Sequence, residues 1–293
     1  MESISNPKPR QNRPAYLLAA ALLGAIGLIV YGWVYFKEPF TPISAYLNDK
    51  VGDVLILIPA VTVAILGTLL TRHFKSSEPP HRIWLTFTLG WWCWVGGELL
   101  GLAYDAVYWT TDYPELTYID VAWILGYFFF GLSLYYQFRL IYNWKSQRKS
   151  ALYLFYVALA LIVTYGLMRL ALGAGLGEGI SLPALYIAVI YPVLDAFAGG
   201  AALWLFFLFG RGYLGRPWWG LIAFAIADGI NIFFWIGGYN WVSDSTYYLL
   251  DLVSAVMYMG GYVITMLAIL SAIDHMHRSL GTSAPASAEP SRD

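Results

Sequence analysis

Eight long apolar runs constrain this chain more than any other feature of its sequence. They cover roughly residues 15–36, 54–74, 83–104, 119–142, 151–172, 183–209, 217–238 and 249–273. A helix needs about 20 apolar residues to cross the hydrocarbon core of a bilayer. Only 12% of the residues are charged, whereas a soluble domain carries about 25%. The sequence therefore predicts an all-α membrane protein with an eight-helix transmembrane bundle.

The distribution of lysine and arginine predicts the orientation of these helices. The two tails and the second, fourth and sixth loops hold 14 of the 17 basic residues, and Lys37, Lys50 and Arg169 fall on the other side. Short loops rich in basic residues stay in the cytoplasm. We therefore expect a multi-pass protein of the inner (plasma) membrane with both termini cytoplasmic. The lipid bilayer is its expected environment, and no nucleic-acid partner is expected.

Several spacings suggest that the bundle consists of two copies of a four-helix unit. Similar residues recur at nearly constant separations: Glu98 and Asp228 (130), Asp120 and Asp251 (131), Tyr127 and Tyr258 (131), and Pro59 and Pro192 (133). A constant period is the sequence signature of an internal repeat. Because four helices return the chain to its starting side, the two repeats would be parallel, with a pseudo-axis along the membrane normal.

The predicted organisation has four parts. A cytoplasmic tail (1–13) precedes the first four-helix repeat (14–145) and the second (146–278). Residues 279–293 are rich in Ser, Ala and Pro and are predicted to form a disordered cytoplasmic tail. The first apolar run is too long for a signal-peptide core and no A-x-A-like cleavage site precedes Lys37, so we expect it to be retained.

Three carboxylates fall at mid-membrane depth, namely those of Glu98, Asp195 and Asp228. Placing a carboxylate there costs about 2.5–3.5 kcal/mol on insertion scales, so each should face protein or water. Helical spacing puts aromatic and small residues beside them. These faces predict a ligand-binding site of Glu98, Asp228, Asp195, Asn231, Trp94, Tyr191 and Trp235. The rim of this cavity would be formed by Asp105, Asp120, Asp251, Tyr127 and Tyr258.

A structural role for the same carboxylates is the alternative interpretation. Asp120 and Asp251 each stand at the start of a predicted helix, where a carboxylate caps free N–H groups. The deeper carboxylates would hydrogen-bond to neighbouring helices. Small residues would permit the close approach that this needs, as at Gly96, Gly97, Gly199 and Gly200. The sequence pattern leaves ligand binding and structural bonding both open.

Motifs for catalysis or metal binding are missing from the sequence. The chain has no H-E-x-x-H, G-x-S-x-G or Walker sequence. Its single cysteine, Cys93, has no disulfide partner within the chain. We interpret the four histidines as interfacial polar residues of the cytoplasmic edge: His73, His81, His275 and His277. We therefore predict no catalytic residue and no metal site, and we identify no cofactor.

Four segments resemble a bacterial sensory region: GGELLGLAYDAVYWTTDYPELTYIDVAWILGYFFFGLSLYYQFR (96–139), IYPVLDAFAGGAALWLF (190–206), IADGINIFFWIGGYN (226–240) and YYLLDLVSAVMYMGGYVITMLAI (247–269). That region is the eight-helix membrane input module that precedes GGDEF/EAL domains and some sensor histidine kinases. The resemblance implies a sensor in signal transduction. Since no output domain follows the last span here, it also implies a membrane or cytoplasmic protein partner.

Four functions follow as hypotheses. The first is a sensory or regulatory module that binds a small or lipidic ligand between its two halves. The second is a secondary transporter or proton-coupled permease, a class that combines parallel repeats with mid-membrane carboxylates. The third is an intramembrane enzyme acting on a lipid or isoprenoid, with Glu98 as general acid and Asp228 as a stabilising group. The fourth is an assembly subunit of a larger membrane complex. The first is preferred, and an enzyme is not expected.

Overall fold

The computed structural model describes residues 15–36, 42–108, 116–144, 182–209, 215–235 and 241–281, together with residues 156, 158 and 212. Within these ranges the chain forms seven α-helices, and a short 3₁₀ turn (Arg216–Trp218) precedes the sixth. We number the helices in chain order: α1 (Ala15–Phe36), α2 (Pro42–Arg72), α3 (Pro79–Tyr108), α4 (Tyr118–Trp144), α5 (Leu182–Phe209), α6 (Trp219–Trp235) and α7 (Asp244–Gly281).

Seven of the eight predicted apolar runs lie on these helices. The first prediction agrees with α1 at both ends, whereas α2 begins at Pro42, well before its apolar run starts at residue 54. The last helix extends past its run on both sides and ends at Gly281, inside the predicted C-terminal tail. The predicted fifth span (151–172) lies outside the described residues except at 156 and 158.

Most of the described helices are suited to a bilayer. Six of the seven are long and apolar enough to cross a membrane. Their outward faces are apolar, and Leu23 and Ile29 of α1 are 69% and 71% exposed. The helix outside this group is α3, which carries Arg82, Glu98 and Asp105 and packs against both α2 and α4. Glu98 and Asp105 lower the hydropathy of α3, and Asp105 is buried against protein, as expected for a carboxylate in a membrane helix.

The helices pack in a closed sequence of neighbours. Helix α2 packs on α3 and α3 packs on α4, which contacts α5. Helix α5 packs on α6 and α6 packs on α7, which in turn contacts α2. The first helix lies outside this arrangement against α2 and α7. Large aromatic rings fill the centre, where edge-to-face contacts add to the energy of burial. The most deeply buried are Phe87, Trp91, Phe130, Trp218, Phe224 and Tyr262.

Glycines set the spacing of two helix pairs. A Cβ atom on Gly126 of α4 would lie 3.1 Å from the carbonyl oxygen of Gly90 in α3. A Cβ atom on Gly220 of α6 would lie 2.6 Å from the carbonyl oxygen of Gly261 in α7. Backbones come this close in membrane bundles only where side chains are absent or small. The α3–α4 and α6–α7 pairs therefore depend on glycine at these crossings.

The two predicted capping aspartates differ in the structure. The backbone N–H of Thr117 donates to Asp120 Oδ2 at 2.7 Å, and the N–H of Ile119 donates to Thr117 Oγ1 at 3.1 Å. Asp120 therefore caps the start of α4, as predicted. The same prediction is wrong for Asp251, because α7 begins two turns earlier at Asp244. The polar segment at Ser243 supplies that earlier cap, and Ser243 Oγ accepts the N–H of Thr246 at 3.3 Å.

Candidate functional site

Glu98 of α3 is held by two tyrosines of α7. Its Oε1 accepts hydrogen bonds from the hydroxyls of Tyr258 at 2.6 Å and Tyr262 at 2.8 Å. We call these three residues the glutamate cluster. The side chain thus faces protein, as expected for a carboxylate at this depth, and the two hydroxyls offset part of the cost of burying it. The contact also ties the third helix to the last one.

A second cluster joins α4, α5 and α6 and consists of Tyr127, Asp195 and Asp228. The Tyr127 hydroxyl donates to Asp195 Oδ1 and lies 3.4 Å from Asp228 Oδ2. Because the hydroxyl has one proton, the longer contact is the weaker one. Asp195 is only 5% exposed, and among the described residues its Oδ2 has no hydrogen-bond partner. Within the described part of the chain, this tyrosine–aspartate cluster therefore leaves one buried carboxylate oxygen without a hydrogen bond.

Asp120 also connects α4 with α5. Its Oδ1 accepts a hydrogen bond from the Tyr191 hydroxyl at 2.8 Å, while its Oδ2 caps α4. The Tyr191 ring lies 6.2 Å from that of Tyr127, measured between centroids. Two tyrosine–aspartate bonds therefore join the same pair of helices, one near the start of α4 and one about two turns further along it.

Two of the three remaining predicted ligand-binding residues, Asn231 and Trp94, have described structural partners. Asn231 Oδ1 accepts a hydrogen bond from Ser254 Oγ at 2.9 Å. The Trp94 ring packs edge-to-face on Phe224, with ring centroids 4.7 Å apart. Trp235 ends α6, and its side chain lies outside the described part of the chain. These contacts place Asn231 and Trp94 at helix interfaces.

Lys50 was not among the predicted site residues, yet it forms an ion pair that joins α2 to α3. Its ammonium group pairs with Asp53 at 3.0 Å and with Asp105 of α3. Asp105 is 2% exposed, so this ion pair is largely removed from solvent. The only sequence signal was a basic residue next to an acid at the start of an apolar run. Asp105, predicted at the cavity rim, therefore joins α3 to α2.

A cavity of about 390 Å³ lies between α4 and α5. Its lining is apolar and aromatic: Tyr127, Gly131, Leu134, Tyr135, Phe138, Tyr156, Leu194, Phe197, Ala198 and Ala201. Among the residues whose side chains are described, Tyr127 is the one predicted rim residue in this lining, and no predicted ligand-binding residue belongs to it. The other lining residues carried no sequence signal, because an apolar residue facing a cavity looks the same as one facing lipid.

The described helices and their buried polar contacts define an all-helical, multi-pass integral membrane protein. Within the described ranges, no group of three or more His, Cys, Asp or Glu side chains is arranged to hold a metal ion. No family model, curated protein or solved structure matches this chain.

Proposed function

We propose that this protein is a sensory or regulatory membrane module that binds a small or lipidic ligand between its two halves. The main observation that supports this proposal is that Tyr127 has two roles. Its side chain lines the cavity, and its hydroxyl bonds to Asp195 and contacts Asp228. A ligand in the cavity would therefore touch the side chain that links α4 of the first half to α5 and α6 of the second.

The lining of the cavity indicates the class of ligand. Ligand pockets have volumes of about 300–1,000 Å³ and mostly apolar walls with a few polar groups. The cavity has a comparable size, and Tyr127, Tyr135 and Tyr156 are the residues of its lining that have polar side-chain groups. An acyl or isoprenoid chain, or another apolar molecule with one hydrogen-bonding group, fits this lining. A strongly anionic ligand does not, because the nearby Asp195 and Asp228 are acidic.

Binding would act by changing how the two halves pack. A ligand shifts a conformational equilibrium only by its difference in affinity for the two states. A ligand that moves the Tyr127 ring would weaken its bonds to Asp195 and Asp228 and so favour a packing in which α4 and α5 lie differently. We propose that a partner protein at the basic cytoplasmic loops reads this change, as the resemblance to sensory input modules implies.

The relative direction of α4 and α5 supports the prediction of eight transmembrane spans. Tyr191, near the start of the apolar span of α5, bonds to Asp120, near the start of α4. Deeper contacts follow in the same order, from Tyr127 to Asp195, so α4 and α5 run in parallel. Parallel neighbours need a connection that returns across the membrane, which supports the fifth span that we propose between residues 144 and 182. The positive-inside distribution of Lys and Arg also supports our proposed topology, in which the protein lies in the inner membrane with both termini in the cytoplasm.

Reciprocal contacts support the internal repeat. Tyr127 of the first half reaches Asp228 of the second, while Tyr262 of the second half reaches Glu98 of the first. Glu98 and Asp228 are the pair separated by 130 residues. In an arrangement with two-fold pseudo-symmetry, a contact from one half to the other is repeated in the opposite sense. The exchange of tyrosine–carboxylate contacts has this form.

The glycine crossings refine the proposed register of the repeat. Gly126 precedes Tyr127 at the α3–α4 crossing, and Gly261 precedes Tyr262 at the α6–α7 crossing. We therefore propose that Tyr127 corresponds to Tyr262, at a separation of 135 residues, in place of Tyr258 at 131. A four-residue change keeps the same face of the helix towards its partner, since it is close to one helical turn.

Native mass spectrometry of the detergent-purified protein tests the ligand. Gly131 lines the cavity and has open space where a Cβ would stand, so Gly131→Leu should fill it without a backbone clash. Gly96 also has open space around its Cβ position but lies on α3, away from the lining, which makes Gly96→Leu the matched control. We expect a bound small molecule or lipid on the wild type and the control, and its loss from Gly131→Leu.

Two outcomes would refute the proposal. If the wild type carries no ligand in any mild detergent, the cavity is a packing defect. If Gly131→Leu retains the same bound mass as the Gly96→Leu control, ligand binds elsewhere on the protein. A photo-crosslinkable fatty acid or isoprenoid alcohol, followed by peptide mapping, distinguishes these cases, because it labels α4 or α5 when the cavity is the site.

A proton-coupled transporter is the second candidate, supported by the unsatisfied carboxylate oxygen of Asp195. Buried carboxylates that exchange protons are typical of transporter pathways. Here Asp195, Asp228 and Tyr127 form a short chain of proton-exchanging groups inside the bundle. Proton flux into proteoliposomes, compared between the wild type and Asp195→Asn, tests this. Proton-coupled uptake that the variant abolishes would favour the transporter over the sensor.

A further inference from the structure

Two histidines from distant parts of the chain meet at one end of the bundle. His73 directly follows α2, and His277 lies in the last turns of α7. Their Nε2 atoms are 2.9 Å apart, and their ring centroids are 5.0 Å apart. Both side chains are exposed, so an ion in solution can reach them. The sequence predicted both histidines at the cytoplasmic edge but did not indicate that they meet, because 204 residues separate them.

A backbone contact sets the tautomer of His73. Its Nδ1 lies 2.8 Å from the carbonyl oxygen of Leu69. A carbonyl oxygen only accepts hydrogen bonds, so Nδ1 donates the proton and the neutral ring has its lone pair on Nε2. Histidines that bind metals commonly have this arrangement, with the non-ligating nitrogen bonded to a carbonyl or carboxylate. His73 Nε2 therefore carries a lone pair and lies 2.9 Å from His277 Nε2.

We propose that His73 and His277 together bind one divalent transition-metal ion, with Ni²⁺ and Cu²⁺ favoured over Zn²⁺. Metal–imidazole bonds are about 2.0–2.1 Å long. Two nitrogens at right angles around one ion are then about 2.9 Å apart, whereas a tetrahedral site needs about 3.4 Å. The observed Nε2–Nε2 distance of 2.9 Å agrees with the right-angled arrangement of square-planar or octahedral ions. Water molecules complete the coordination of the ion.

The same distance argues against a haem held between the two imidazoles. Ligands on opposite faces of one haem iron are about 4 Å apart, because each metal–nitrogen bond is about 2 Å long. His73 Nε2 and His277 Nε2 are closer than that by about 1 Å, at 2.9 Å. The site is therefore suited to a solvated ion. This inference does not depend on the proposed ligand cavity.

A bound ion would connect the end of α2 to the end of α7. Because the two ligands are far apart in sequence, only the folded chain brings them together, and binding should stabilise the fold. We expect Ni²⁺ to raise the midpoint of thermal unfolding of the wild-type protein, and to leave the midpoint of His73→Gln or His277→Gln unchanged. Both exposed substitutions should keep the metal-free midpoint of the wild type.

The experiment uses the full chain in detergent, purified without a polyhistidine tag. Electron paramagnetic resonance of the protein with one equivalent of Cu²⁺ should show coupling to two imidazole nitrogens, and to one in either glutamine variant. Calorimetric titration with Ni²⁺ should show one site whose affinity falls at least about tenfold in each variant. Even the loss of a group that only orients a metal ligand typically lowers metal affinity by about 10–100-fold.

His81→Gln is the matched control. Its Nδ1 also lies close to a carbonyl oxygen, that of Phe74 at 3.0 Å, so it has the same tautomer without the His277 partner. Metal binding by this variant should equal that of the wild type. Equal binding by His73→Gln, His277→Gln and the wild type would overturn the proposal. So would a Cu²⁺ spectrum without two imidazole nitrogens, which would mean that the pair is joined by a hydrogen bond alone.

Discussion

Adding one methyl group at Gly261 should weaken the contact between α6 and α7. A Cβ atom at this position would lie 2.5 Å from Cε2 of Phe224, where ordinary contacts begin at 3.4 Å. Relief needs a movement of about 0.9 Å (3.4 − 2.5) by one side of the contact. The Phe224 ring is 1% exposed and is packed against Trp94 and Tyr262 at 4.7 and 4.8 Å. It therefore has no free space to enter.

The neighbouring residue provides a control in the same helix. A Cβ on Gly260 would have nothing within 4 Å. Alanine replaces glycine in mid-helix at both positions, so both variants gain the same helix propensity, about 1 kcal/mol. The difference between Gly261→Ala and Gly260→Ala thus isolates the packing term. Overpacking a filled core costs typically 1–3 kcal/mol, and we expect Gly261→Ala to be less stable by about that amount.

Thermal unfolding in detergent, followed by tryptophan fluorescence, measures this difference. One kcal/mol corresponds to roughly 2–4 °C for chains of 150–250 residues, so the midpoint of Gly261→Ala should lie at least about 2 °C below that of Gly260→Ala. Adding Phe224→Leu to Gly261→Ala should recover part of the loss, because the two sites are in contact and their effects are not additive. Equal midpoints for the two alanine variants would refute the packing argument.

Substitutions at three further positions test the polar contacts. Asp120→Ala removes both the α4 cap and the acceptor of the Tyr191 hydroxyl, so it should cost at least about 1 kcal/mol, measured as a lower unfolding midpoint. Lys50→Met removes the cation beside the buried Asp105 and should cost about 3–5 kcal/mol, measured by loss of folded protein in size-exclusion chromatography. Glu98→Gln keeps an acceptor for the Tyr262 hydroxyl, whereas Glu98→Ala leaves that buried hydroxyl without a partner, at a cost of about 1–3 kcal/mol. Limited proteolysis should therefore cut the alanine variant faster than the glutamine variant.

Each of these expectations has a clear contrary result. An Asp120→Ala variant as stable as the wild type would mean that the Thr117 contact does not support α4. If as much folded Lys50→Met protein as wild-type protein is recovered from size-exclusion chromatography, Asp105 must be solvated or neutral. Equal cleavage of the two Glu98 variants would mean that the tyrosine hydroxyls find other partners.

Local composition was enough to locate the helices. An apolar run of about 20 residues has the same preference for lipid whatever surrounds it, and seven of the eight predicted runs correspond to described helices. The cap at Asp120 was predictable for a related reason, since its partner Thr117 is three residues away. The start of α7 was misplaced because the polar cap at Ser243 precedes the apolar run that the prediction relied on.

Tertiary structure decided which side chains meet. Glu98 was recognisable as a buried carboxylate, but its partner Tyr262 lies 164 residues away and was not predicted. The same holds for the Lys50–Asp105 pair and for the cavity beside Tyr127. Helical periodicity shows which residues share one face of a helix, and it carries no information about the helix that covers that face. The order in which helices pack therefore determines the polar clusters, the cavity and the histidine pair, while the sequence alone determines the helices that form them.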